Sequence, residues 1–176
     1  MNIQAFWSRK GPLNCLLFPL SLLFGAVASL RRWAYRTGLL DSGHPGVPVI
    51  VVGNLTARGS GKTPFVIWLV EWLKSQGFRP AVVSRGYGRR SRDLRSVTKD
   101  STAEEVGDEP LLIHAKTGAP VLVGADRLAA ARLLRERHPE VDIIVSDDGL
   151  QHYRLRRDLE LVLADAAARF GNGWLL

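Results

Sequence analysis

A mainly parallel β-sheet with helices on both faces is the fold this sequence predicts, and three observations predict it. Short runs rich in Val, Ile and Leu (48–53, 80–85, 119–123, 141–146 and 159–164) alternate with segments of helical pattern. Such runs read as strands buried on both sides, and strands separated by helices pair in parallel. The first strand runs into a glycine-rich turn that ends Gly61-Lys62-Thr63. Polar residues also collect where the strands end, at Ser84-Arg85, Gly124-Ala125-Asp126-Arg127, Asp147-Asp148 and Asp165, which is where sheets of this kind gather ligands.

At 176 residues the chain has room for one domain with a substantial core. Its single cysteine excludes an internal disulfide and fits a reducing compartment. The net charge of +7 comes mostly from arginine. A basic balance suits nucleic acid, anionic lipid or phosphorylated small molecules. No DNA- or RNA-binding motif is present, and the arginines cluster beside apolar and phosphate-binding segments, so lipid headgroups and phosphates are the expected partners.

The uncharged run Leu13 to Leu30 is flanked by Arg9 and Lys10 before it and by Arg31, Arg32 and Arg36 after it. As a helix its eighteen residues reach about 27 Å, barely the hydrocarbon thickness. Pro19 and Gly25 weaken a straight span, whereas Trp33 and Tyr35 among arginines suit a headgroup interface. A cleaved leader ending near Ala26-Val27-Ala28 and a buried core helix are the competing readings. Because a nucleotide-binding turn follows closely, residues 1–38 are read as an anchor on the cytoplasmic face. Gly38 to Pro48, with its glycines and prolines, reads as a linker. The domain proper is placed at 39–176.

Strand 48–53 leads through Thr56, Ala57, Arg58, Gly59, Ser60 and Gly61 to Lys62 and Thr63, then to a helix near 63–76 with Phe65, Leu69, Trp72 and Leu73 on one face. In a phosphate loop, backbone N–H groups cradle a polyphosphate, the lysine reaches the outer phosphates and the threonine hydroxyl meets Mg²⁺. Thr56 stands where the usual spacing has glycine, so the motif is a variant. Together these features predict a phosphate-loop NTPase-like fold that binds a nucleoside triphosphate.

Strand 80–85 opens an irregular arginine-rich stretch, RGYGRRSRDLR, in which Arg85 is the strongest phosphate ligand because it lies at the strand end. Gly107-Asp108-Glu109-Pro110 starts a helix over 108–116. Asp108 is either its N-cap or a general base that accepts the proton of an attacking hydroxyl. Asp126 caps a helix over about 127–137. Asp147 and Asp148 end an apolar strand, where such folds place carboxylates near Mg²⁺; Gln151 and His152 follow, and His152 is either an orienting group or a surface one.

Four ordered motifs, Gly53-Asn54-Leu55-Thr56 with Gly61-Lys62-Thr63-Pro64, Ser84-Arg85-Gly86-Tyr87-Gly88, Gly107-Asp108-Glu109-Pro110 and Asp147-Asp148-Gly149-Leu150-Gln151-His152, closely resemble the tetraacyldisaccharide 4′-kinase family. In that family Thr56 is normal, while Arg58 departs from the usual glycine. The resemblance implies transfer of the ATP γ-phosphate to the 4′-hydroxyl of a tetraacylated glucosamine disaccharide 1-phosphate, giving lipid IV A. It also implies Mg²⁺ as cofactor, a glycolipid substrate, no nucleic acid, and attachment to the cytoplasmic face of the bacterial inner membrane. Carried over by position, Lys62 and Thr63 hold phosphates and metal, Asp108 is the base, and Asp147 and Asp148 act around Mg²⁺. Arg85, Tyr87, Arg127, Gln151 and His152 contact substrate. Family members are longer, so a truncated, inactive form is one alternative. A membrane-anchored NTPase that couples hydrolysis to conformational change is the other.

Overall fold

The computed structural model describes residues 12–54 and 61–164. Its elements are α1 (Pro12–Arg36), β1 (Val49–Asn54), α2 (Lys62–Ser75), β2 (Pro80–Ser84), β3 (Arg95–Ser96), α3 (Ala103–Val106), α4 (Asp108–Thr117), β4 (Val121–Val123), α5 (Arg127–Arg137), β5 (Ile143–Asp147) and β6 (Leu159–Leu163). Six strands form one sheet in the order β3-β4-β2-β5-β1-β6. All neighbours pair in parallel except β3, which runs antiparallel to β4.

Alternation along the strands divides the core in two. Ile50 and Val52 of β1, Val82 of β2 and Val145 of β5 face one side, where they pack with Val66, Leu69, Val70 and Leu73 of α2 and Ile113 of α4. Val49, Val51, Ala81, Val83 and Ile144 face the other side and meet Leu128, Ala131 and Leu134 of α5. Strands covered on both faces must be apolar throughout, which explains their unbroken Val/Ile composition.

Two expectations are corrected here. On α2 the buried stripe is Val66, Leu69, Val70 and Leu73, while Trp72 is 47% exposed. Trp72 lies too far around the helix from Val66 and Val70 to share their face. The 38–48 segment is also more than a spacer: Val47 is buried in the core. Gly43 pairs with Leu155, and Asp158 accepts hydrogen bonds from the Val49 backbone at 2.7 Å and from His44 at 3.1 Å. The edge strand β3, at the end of the arginine-rich stretch, and the single turn α3 beyond it carry no periodic signal in sequence.

Helix α1 continues through Pro19 and extends past the uncharged run to Arg36. It leaves Leu22, Leu23, Phe24, Val27, Leu30 and Trp33 exposed. Among the described residues no helix is long and apolar enough to cross a membrane.

Asp126 does cap α5: its Oδ1 accepts from the Leu128 and Ala129 amides at 3.0 and 3.1 Å, and its Oδ2 accepts from Arg154 at 2.5 Å. Replacing Asp126 with Ala should cost about 1 kcal/mol, the usual worth of an N-cap, whereas Asn should retain most of it. Urea denaturation of the two variants checks this, and equal losses in both would assign the stability to the Arg154 pair instead.

Candidate functional site

The β1–β5 ladder sets Val52 opposite Asp147, so β5 ends beside β1 two residues short of Asn54. Helix α2 starts at Lys62 immediately after Gly61, whose φ of 90° is left-handed and costs glycine nothing. From there Lys62 Nζ donates to Asp148 Oδ1 at 2.6 Å. The two adjacent carboxylates occupy different settings. Asp147 is the last strand residue and is 1% exposed. Asp148 turns out of the strand with φ 55°, a region that aspartate tolerates better than most residues, and its side chain is 63% exposed.

Asp147 Oδ2 accepts from Ser84 Oγ at 3.1 Å, while its Oδ1 is buried without a hydrogen-bond partner among the described residues. Burial, reinforced by the nearby Glu109 carboxylate, pushes the Asp147 carboxyl up to about 6 against the opposing pull of Lys62 and the Ser84 hydrogen bond. Such a group gains from a cation placed beside its bare oxygen.

Gly107, with φ 91°, is the residue before α4, so Asp108 is the first helical residue and does not cap. Its exposed side chain makes no hydrogen bond or ion pair with other described residues. Its position is fixed by backbone contact with the loop after β2. A Cβ on Gly107 would lie 2.9 Å from the Tyr87 carbonyl oxygen, and one on Gly86, itself at φ 67°, would lie 2.6 Å from the Val106 carbonyl oxygen. Only glycine at both places lets the chains touch. The loop is tied down further where Arg95 donates to Glu105 Oε1 at 2.6 Å while Glu105 Oε2 receives the Thr102 amide at 3.0 Å.

A second, cationic cluster stands beside the carboxylates. Arg127 is 1% exposed and donates through Nη1 to the Gly124 carbonyl, leaving Nε and Nη2 buried without partners among the described residues. Burial lowers its guanidinium to about 10, with Asp147 opposing and Arg85 reinforcing the shift. Burial, together with Arg127 and Arg85, also lowers His152 to about 4, so its imidazole is neutral at neutral pH. Arg127 and His152 line a cavity with Arg31 and Tyr35 of α1 and with Arg154.

The structure therefore brings Lys62, Asp147 and Asp148 into one group and Arg85, Arg127 and His152 into another. Thr63 is half-buried in the first turn of α2; Tyr87 and Gln151 are exposed. Thr56, Ala57, Arg58, Gly59 and Ser60 lie outside the described residues, as does Asp165. Sequence reading missed Arg157. It donates to the carbonyls of Leu150, His152 and Leu155 and lies over the Tyr153 ring at 5.4 Å, holding the loop that presents His152. Nothing in the sequence singles it out from the neighbouring arginines.

Residues 13–176 match the family model described as tetraacyldisaccharide-1-P 4′-kinase. The chain belongs to that family. A tetraacyldisaccharide 4′-kinase of Thiobacillus denitrificans is 62% identical over all of this chain and 54% of its own length. One from Herminiimonas arsenicoxydans is 55% identical over 97% of this chain and 48% of its own length. A crystal structure of LpxK from Aquifex aeolicus in complex with ATP superposes with a TM-score of 0.77 at 36% identity, covering 88% of this chain and 50% of that one. The chain thus spans about half the length of the family members it matches.

The depressed His152 value has a consequence for stability. A base whose folded value lies below its unfolded one near 6.5 contributes stability that is full above that pH and is lost as pH falls through about 4. The urea midpoint of the parent should therefore drop between pH 6.5 and 4, and His152→Gln should flatten part of that drop. An identical pH profile in the two proteins would contradict the buried, neutral imidazole.

Proposed function

We propose that the full-length protein carrying this chain transfers the γ-phosphoryl group of ATP to the 4′-hydroxyl of a tetraacyldisaccharide 1-phosphate, giving lipid IV A. The observation that carries this reading is the Lys62–Asp148 contact at 2.6 Å beside buried Asp147, at the ends of two adjacent parallel strands in a chain of this family. The solved ATP complex of a relative supports the choice of nucleotide. By sequence, residues 56–63 carry the phosphate-loop motif, which suits a phosphate-loop NTPase-like fold. When ATP arrives, Lys62 exchanges its contact with Asp148 for the outer phosphates, so the ion pair keeps the ammonium in place until it is used.

The donor set fits Mg²⁺. Asp147 presents a buried oxygen without a partner among the described residues, Asp148 lies next to it, and Thr63 supplies a hydroxyl in the first turn of α2. Hard oxygen ligands of this kind, few in number and completed by phosphates and water, suit that ion. Asp147, Asp148 and Thr63 would hold the ion, which would offset the negative charge that develops on the phosphates during transfer.

Asp108 is the base. Its carboxylate, exposed at the start of α4 and not engaged in a cap, accepts the proton of the 4′-hydroxyl as that oxygen attacks phosphorus. Arg85, Tyr87, Arg127, Gln151 and His152 form the acceptor side, where guanidinium groups answer a phosphorylated sugar. Residues 1–38 attach the protein to the cytoplasmic face of the inner membrane, with the exposed apolar side chains of α1 entering one leaflet and Arg31, Arg32 and Arg36 meeting headgroups. Residues 39–176 form the kinase domain.

A form extended by the C-terminal half that family members carry, incubated with γ-labelled ATP and the disaccharide 1-phosphate, tests the reading. Label should enter lipid; label released only as free phosphate would mean an NTPase, and no turnover would mean a binding module. In the same form Asp108→Asn should keep stability and ATP binding while turnover falls by roughly 10²–10⁴, the worth of a positioned base. Turnover per folded molecule equal to the parent would remove Asp108 from the chemistry.

A further inference from the structure

Each helical residue turns about 100°, so α2 presents three distinct sides. Val66, Leu69, Val70 and Leu73 face the sheet. One flank, with Ile67 and Lys74, faces α4, as the Lys74 hydrogen bond to the Thr117 carbonyl records. The opposite flank carries Phe65, Trp68 and Trp72. Their rings run in a continuous row, with centroids 5.4 Å apart between Phe65 and Trp68 and 6.3 Å apart between Trp68 and Trp72. Trp68 is 56% exposed and Trp72 47%. Large aromatic surface left in water at helical spacing is a mark of an interface.

The strand order shows where this row points. Helix α4 packs over β4 and α2 over β1, β5 and β2, so the flank of α2 away from α4 looks toward β6, the last strand of the sheet. Register places Leu159, Leu161 and Leu163 of β6 beside Ile50, Val52 and Asn54, on the same face as α2. Leu161 and Leu163 are only partly buried there, and Leu159 is 49% exposed. A parallel strand ordinarily has both faces covered. The aromatic row is thus the wall, and the three leucines the floor, of a slot that no helix among the described residues fills.

We infer that this slot receives an apolar helix from the C-terminal half of the full-length protein. Matched family members extend for about as much chain again, since this sequence accounts for 54% of the Thiobacillus relative and 50% of the Aquifex chain. The chain described here supplies their N-terminal part, and β6 is its last described strand. The bilayer is a poor occupant. Helix α1 joins the opposite side of the sheet, where Tyr35 lines a cavity with Leu128 of α5, so a membrane met by α1 lies away from the Trp68 face.

Tryptophan fluorescence tests this independently of any catalytic reading. Trp7, Trp33 and Trp174 are replaced by Phe, so that emission reports Trp68 and Trp72 alone. The 176-residue chain is then compared with a form extended in frame by the C-terminal half of the Thiobacillus relative, whose own tryptophans are also replaced. Acrylamide quenching should be several-fold weaker in the extended form and its emission shifted to the blue, at all protein concentrations and without lipid. Equal quenching in the two lengths overturns the inference. So does protection that arises only with anionic vesicles, which would make the row a membrane contact, or only at high concentration, which would make it a self-association face. As a second measurement, Trp68→Lys with Trp72→Lys should hasten proteolysis between the halves of the extended form while leaving the Tm of the 176-residue chain unchanged. Undiminished resistance to protease would also overturn the inference.

Discussion

The site depends on one backbone constraint, the parallel pairing of β1 with β5. Because Val52 lies opposite Asp147, the carboxylates at the end of β5 stand beside the last residues of β1. Lys62 can then reach Asp148 across the gap. A slip of one residue would turn every side chain of β5 to the other face, burying Ser146 where Asp147 stands and separating the ammonium from its partner. The apolar runs that make both strands double-sided therefore also set the chemistry: Val49, Val51 and Ile144 lock one face, and Ile50, Val52 and Val145 the other.

Around this axis the molecule keeps charges at low hydration and balances them in pairs. Among the described residues, Asp147 is buried with one oxygen unpartnered, and Arg127 is buried with two nitrogens unpartnered. Asp147 supports the charged Arg127 guanidinium. Lys62 supports the charged carboxylate in turn. A buried polar atom without a partner costs free energy that a packed core would avoid. Strain of this kind is what a binding site accumulates before its ligand arrives.

Much of this was legible in the sequence for a physical reason. Strand composition reports double-sided burial, so the parallel sheet and its strand ends could be read directly. Asp126 could be read as a cap because the side chain acts on backbone only two and three residues away. The contributions that escaped reading are tertiary. Helical spacing groups Trp72 with Leu69 and Leu73 on one face, yet its angular position on α2 turns it to the flank. Gly107 rather than Asp108 precedes α4, because the Gly86–Gly107 contact demands the smallest residue there. Arg157 and the short β3 and α3 elements depend on partners distant in sequence, and the 38–48 segment looks like a linker until Gly43 meets Leu155.

The fold also explains how an apolar helix and a charged site coexist. Helix α1 ends in arginines and brings Arg31 and Tyr35 to the cavity that Arg127 and His152 line, so the apolar surface of the helix and the cationic cluster are neighbours. A substrate with a lipid part and a phosphorylated head would meet both at once. That geometry matters only if the strand-end group binds nucleotide, and binding of labelled ATP at equilibrium tests this most directly. In the form extended by the C-terminal half, Lys62→Ala should abolish most ATP binding while the far-ultraviolet circular dichroism of the fold is preserved. ATP binding equal to the parent in that variant would contradict the account.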